Sequence, residues 1–281
     1  MRKGVVLGLN PTGFHRIAYR EWGSQDNERV LVCVHGLARN GRDFDEIAKV
    51  LSREYRVICP DMVGRGESDW LPSAAAAHYA IPQYVSDMTA LLARLNVASV
   101  DWLGTSMGGI IGMAMAALPQ SPIRKLILND IGAFVSKEAL AHIGDYLVPK
   151  YFADLSEAKA FMQQTYPGLS KISAQSWDTL VQHGFRETEQ GWTQHYDPTI
   201  GDITRVAASE DVDLWAIWRA IQCPQLLIWG DQSDVLTEPT VTQMCNENPQ
   251  LDLYRVAGVP HVPSLMETDQ ISHVCEWLRT H

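Results

Sequence analysis

Apolar positions recur along the chain in short unbroken runs, each closed by a turn signal, with helix-like stretches between them. The runs are RVLVCVHG (29–36), YRVICPD (55–61), SVDWLG (99–104), RKLILND (124–130), PQLLIWGD (224–231) and LDLYRVAG (251–258). A strand with one wet face alternates, whereas continuous β-branched runs of this length suit strands buried on both faces of a parallel sheet. Segments 43–52, 81–95, 107–118 and 267–279 read as helices. The alternation predicts an α/β fold, a mostly parallel central sheet flanked by helices with right-handed crossovers. FHRIAYREW (14–22) alternates more strictly and is expected as an antiparallel edge strand.

Between 133 and 219 this rhythm fails. The segment has no strong strand run and reads as several helices carrying Tyr146, Tyr151, Phe152, Phe161, Met162, Trp177, Trp192, Trp215 and Trp218. We expect it to be an insertion between two strands of one sheet, leaving 1–132 and 220–281 as the core domain. Its aromatics are expected mainly to hold the inserted helices together.

Composition enters by exclusion. With 281 residues the chain can bury a real core, and its net charge of -10 gives no basic stripe for nucleic acid. The longest apolar stretch, Ile110–Leu118, is broken by Gly112 and stopped by Pro119, far too short to insert across a membrane. The amino-terminal apolar run is shorter than a signal peptide's and no small-residue cleavage site follows, so a cytoplasmic location is expected. Five cysteines without a C-x-x-C pair suggest no disulfide framework, and Cys33 and Cys59 are expected as buried thiols. No H-E-x-x-H, paired-cysteine or Walker pattern supports a metal or nucleotide site.

One stretch asks for a different explanation. WLGTSMGGIIGMAMAALP (102–119) places Ser106 among glycines, after a strand-like run and before a helix-like one. GTSMG (104–108) fits the G-x-S-x-G pattern, in which a serine stands out of a strained strand-to-helix turn that tolerates no neighbouring side chains. A nucleophilic serine needs a base, and the base an orienting carboxylate. GVPHVP (258–263) offers His261 at a late strand end, and WGDQSDVL (229–236) offers Asp231 and Asp234. Asp234 is favoured as the acid, because Asp231 directly follows the glycine and suits a capping role; Asp130, closing LND, lies at the same sheet edge and is read as structural. The oxyanion of an acyl intermediate needs donors. The loop VHGLARN (34–40) supplies the N–H of Leu37, to be paired with the N–H of Met107 after the serine. GRGESD (64–69) is a near miss for a dinucleotide fingerprint and is read as a structural turn with Asp61.

Taken together, HG (35–36), DMVGRGESD (61–69), GTSMGG (104–109), GDQSD (230–234) and GVPH (258–261) resemble the α/β-hydrolase fold superfamily, close to its capped serine esterase branch. The resemblance spans nearly the whole chain. It implies Ser106 as nucleophile, His261 as base, Asp234 as acid, a helical cap over 133–219, and no metal or organic cofactor. The expected partner is a small-molecule ester, partly apolar and of small to medium size; self-association into a homo-oligomer is left open. Three other readings are kept. Carbon–carbon bond hydrolases of ring-cleavage products commonly show a tryptophan just after the histidine, and HVPSLME has none. Enzymes acting on short hydroxyalkanoate oligomers are a further, weaker likeness. A ligand receptor of the same fold would turn over slowly and bind a partner on ligand binding.

Overall fold

The apolar runs assemble into one sheet in the computed structural model, which describes all 281 residues. Its strands are β1 (Arg2–Asn10), β2 (Gly13–Trp22), β3 (Val30–Val34), β4 (Arg56–Pro60), β5 (Val100–Thr105), β6 (Ile123–Asn129), β7 (Gln225–Gly230) and β8 (Asp252–Val256). They lie in the order β1-β2-β4-β3-β5-β6-β7-β8. From β4 to β8 all neighbours are parallel, while β2 runs antiparallel to β4 and pairs with β1 as a hairpin. The edge-strand expectation for 14–22 is thereby corrected: β2 is antiparallel but lies one strand in, and β1 takes the edge. The hairpin turns at Asn10, whose side chain accepts from the Thr12 N–H at 2.8 Å, and Gly13 supplies the positive φ of +132°.

Alternate residues of the central strands feed opposite faces. Val30, Val32, Val34, Trp102, Leu126 and Leu227 pack with α2 (Ile81–Leu95) and α3 (Met107–Ala116). Leu31, Cys33, Leu103, Ile127, Leu226 and Ile228 pack on the other face. There they meet α1 (Asp45–Leu51) and the carboxyl-terminal helix Thr268–Thr280. All five residues of β3 are fully buried. Each buried Val or Leu contributes about 1.5–3 kcal/mol, which explains why the runs lack polar breaks. No helix is long and apolar enough to cross a membrane.

Residues 133–219 leave the sheet after β6 and return to its neighbour β7. Their base is closed by Phe134–Val135 pairing antiparallel with Val212–Asp213. α4 (Lys137–Tyr146) and, later, the helix Thr199–Ala207 bury Ala139, Ile143, Leu147 and Ile200 against the main core. α5 (Leu155–Thr165) and α6 (Ala174–Gly184) enclose a separate small core of Phe152, Met162, Trp177, Leu180 and Phe185. The segment is not purely helical: Tyr151–Phe152, Gly191–Gln194 and Phe185–Thr188 form a three-stranded antiparallel sheet. Strands of two to four residues carry no apolar run, so periodicity could not announce them.

Candidate active site

Ser106 lies between the end of β5 and the first residue of α3, at φ 49° and ψ -114°, a conformation that costs a non-glycine residue about 1–3 kcal/mol. The glycines around it are explained by close approach. A Cβ on Gly104 would lie 2.3 Å from the Gly108 backbone, and one on Gly108 would lie 2.0 Å from the Val34 carbonyl oxygen. The first turn of α3 therefore rests directly on β3 and β5, with its amino terminus at the serine. The Ser106 N–H is held by the Asn129 carbonyl at 3.0 Å, which ties the turn to β6.

His261 comes from the loop after β8. That loop crosses β7 so closely that a Cβ on Gly230 would meet the Val259 and Pro260 carbonyl oxygens at 2.5 and 2.8 Å. The imidazole bridges two groups: Nε2 is 3.2 Å from Ser106 Oγ, and Nδ1 is 2.6 Å from Asp130 Oδ2. Asp130 is fully buried at the end of β6 with a left-handed backbone (φ 56°), which aspartate tolerates better than most side chains. Its Oδ1 accepts from the Gly230 N–H at 2.8 Å and its Oδ2 also accepts from the Ser233 hydroxyl at 2.6 Å. With the carboxylate accepting from Nδ1–H, the Nε2 lone pair is left facing the serine hydroxyl.

The expectation of Asp234 as the partner of His261 is corrected. Asp234 is half-exposed on the loop after β7 and bonds His142 Nδ1 of α4 at 2.7 Å, at the margin of the cavity. Asp231 is taken by Arg255 at 2.9 Å and by the Gly258 N–H at 2.7 Å, and these bonds, Gly258 first, hold its carboxyl below the usual range. β6 and β7 are neighbours with Asn129 opposite Ile228, so an acid at either strand end reaches the same space. The chain order alone does not choose between them.

Leu37 lines the same cavity as Ser106, and Met107 directly follows the serine. Met107 is the first residue of α3, so its N–H has no acceptor within the helix. The loop bearing Leu37 is pinned from beneath. The fully buried Arg65 donates from Nε to the Leu37 carbonyl at 2.8 Å, and another guanidinium nitrogen lies 3.6 Å from Met107 Sδ. His35 donates from Nδ1 to the Gly36 carbonyl at 2.7 Å and accepts the Met62 N–H at 2.9 Å. Asp61 fastens the GRGESD turn, accepting from the Gly41 and Glu67 N–H groups at 2.8 and 2.9 Å. No group of three or more His, Cys, Asp or Glu side chains is placed to hold a metal ion.

Ser106 and His261 open onto a cavity of about 350 Å³. Its far wall comes from residues 142–180 of the insertion, among them Ile143, Tyr146, Tyr166 and Leu169. Arg39 and Asp43 also line it, paired through two bonds of 2.6 and 3.0 Å. Tyr146 lies on this wall instead of only holding the inserted helices together, and Tyr166, Arg39 and His142 carry no sequence signal. Each is a single residue outside any motif, brought to the cavity by the path of the insertion.

This sheet order, with a serine on a strand-to-helix turn and a histidine on the last strand's loop, defines a class. The chain belongs to the α/β-hydrolase fold family, whose model matches residues 29–268. It is 43% identical to the 3-hydroxybutyrate-oligomer hydrolase of Cupriavidus necator, over 96% of this chain and 95% of that one. It is 26% identical to Lipase 1 of Psychrobacter immobilis, over 94% and 81% of the two chains. Among solved structures, one from Rickettsia typhi superposes with a TM-score of 0.92 at 36% identity, covering both chains completely. An α/β hydrolase from Novosphingobium aromaticivorans does so at 0.87 and 28%, covering 99% of each chain.

Proposed function

We propose that the chain is a serine ester hydrolase acting on short hydroxyalkanoate oligomers through Ser106, His261 and Asp130. The observation that carries this is the imidazole of His261 held between Asp130 and the Ser106 hydroxyl. Ser106 Oγ attacks the ester carbonyl while Nε2 takes its proton, and Asp130 stabilises the imidazolium. The carbonyl oxygen, now an oxyanion, accepts from the N–H groups of Leu37 and Met107, each donor worth about 3–4 kcal/mol in the transition state. His261 then protonates the leaving alkoxide, giving the alcohol and an acyl-serine. Water, activated by the same imidazole, releases the acid. Residues 133–219 serve as a cap, since they supply the wall facing the serine.

The relatives' names support the bond type, and the 3-hydroxybutyrate-oligomer hydrolase favours the substrate class. The cavity volume agrees with a short chain: about 350 Å³ is near the lower end of ligand pockets. The test is turnover of p-nitrophenyl butyrate and of a linear 3-hydroxybutyrate trimer by the wild type and by Ser106→Ala. Loss of roughly 10⁴-fold or more on both substrates is expected. Full turnover by Ser106→Ala would overturn the mechanism, and esterase activity without trimer cleavage would overturn the substrate class.

A further inference from the structure

Two phenolic hydroxyls in the cavity have no partner within the protein. Tyr146 ends α4 and Tyr166 directly follows α5, and both line the same cavity as Ser106. Their rings meet edge-on, with centroids 6.3 Å apart and planes at 78°. Of the five buried phenols in the chain, three are satisfied within the protein and those of Tyr19 and Tyr196 are not. Tyr79 donates to Asp197 at 2.6 Å, Tyr84 accepts from Arg65 at 2.8 Å, and Tyr55 accepts from Arg29 at 2.7 Å. The hydroxyls of Tyr146 and Tyr166 make no such bond, and neither is sealed away from the cavity. Two donors that face the cavity without a protein partner are free to pair with an acceptor on whatever binds there.

The surroundings specify what that acceptor is. Burial raises the pKa of both phenols, so they remain O–H donors at any working pH. The one guanidinium on the cavity wall, Arg39, is already forked by Asp43. The carboxylates of Asp43 and Asp234 are also present, and His142 is taken by Asp234. This wall has no uncommitted cation for an anionic group, whereas two neutral donors suit a neutral carbonyl oxygen. A simple ester has one carbonyl, and in the proposed reaction Leu37 and Met107 receive it. A polyester presents another carbonyl at each repeat.

We infer that Tyr146 and Tyr166 form a subsite for a second ester carbonyl, donating to the repeat unit next to the one being cleaved. The subsite selects oligomers over simple esters. Its role in turnover rests on the proposed ester hydrolysis, but its binding can be read without any reaction. The ring positions are set by packing, so replacing each tyrosine by phenylalanine removes only the donor.

The experiment measures calorimetric affinity for the methyl ester of a linear 3-hydroxybutyrate trimer, in Ser106→Ala and in the same variant carrying Tyr146→Phe, Tyr166→Phe or both. In parallel, chains with Ser106 intact are assayed on the trimer ester and on p-nitrophenyl butyrate. Each phenylalanine is expected to weaken trimer binding by about 5–10-fold, the yield of one neutral hydrogen bond. The ratio of kcat/KM for trimer over butyrate should fall by a similar factor. Unchanged affinity in the double variant, or an equal loss on both substrates, overturns the subsite. So does absence of trimer binding to Ser106→Ala, even if p-nitrophenyl butyrate turnover leaves the hydrolase reading standing. Tyrosine-dependent binding in a chain that hydrolyses no ester supports the subsite and sinks the hydrolase reading instead.

Discussion

Asp130 has no exposed surface and three donors: the His261 ring, the Gly230 N–H and the Ser233 hydroxyl. Asp234 is half in solvent with one histidine for company. The difference predicts opposite outcomes for the same substitution. Asp130→Asn presents an amide N–H₂ or a weaker acceptor to Nδ1, disturbs the tautomer that faces Ser106, and is expected to lower kcat by about 10⁴. Asp234→Asn keeps a polar contact with His142 and should cost less than tenfold. Steady-state kinetics on p-nitrophenyl butyrate decides it, and reversed magnitudes would return the acid role to Asp234. At this scale Ser106 and His261 were legible, because each is the one residue of its type in a motif with a defined place on the sheet. The carboxylate that meets His261 was not, since adjacent strands end at one edge and three aspartates lie within reach of that edge.

The unit formed by β5, the turn and α3 shows what the glycines do. Gly108 is helical and needs no unusual φ; what it needs is the absence of a Cβ, which would fall 2.0 Å from the Val34 carbonyl and 3.0 Å from that of His35. Backbone cannot step aside as a flexible side chain can. Gly108→Ala is therefore expected to destabilise by about 3 kcal/mol, the upper part of the usual range for overpacking. For a chain of this size that is a Tm lower by roughly 5–10 °C. Since β3 leads straight into the loop bearing Leu37, esterase activity should fall in the folded variant as well. A calorimetric scan showing an unshifted Tm would mean that α3 does not rest on β3 as described. The same scale explains what the sequence concealed. Continuous apolar runs announce strands buried on two faces, but β1 is exposed along one face and carries only a short run. The three-stranded sheet of the insertion is too short for any period to register.

For the whole molecule, bringing the loops at the sheet's carboxyl edge into one site buries a titratable group. His35 is fully enclosed beneath the Leu37 loop, and its tautomer is fixed because Nδ1 donates to Gly36 while Nε2 accepts from Met62. Burial lowers its pKa to about 4, against partial opposition from the Gly36 carbonyl and Asp61. As pH falls through about 6.5 the unfolded chain binds a proton on this histidine, and the folded chain does not until about pH 4. Stability is then complete above pH 6.5, declines as pH falls toward 4, and loses nothing more from this group below that. The full difference is on the order of 3 kcal/mol. Burial also lowers the pKa values of His183 and His195, which add to the same decline, so the slope of the wild type alone does not isolate His35. Glu21 and Glu67 titrate below their ordinary range and therefore lose their contribution only at lower pH. The difference between the wild type and His35→Gln does isolate it. Glutamine offers a donor and an acceptor without titrating, so the variant should be less stable at pH 7.5 through poorer fit, yet lose less on going to pH 4.5. Urea unfolding of both proteins at the two pH values measures this directly. Parallel losses would show that His35 gains its proton in the folded state near the ordinary pH, and that the loop above it admits water.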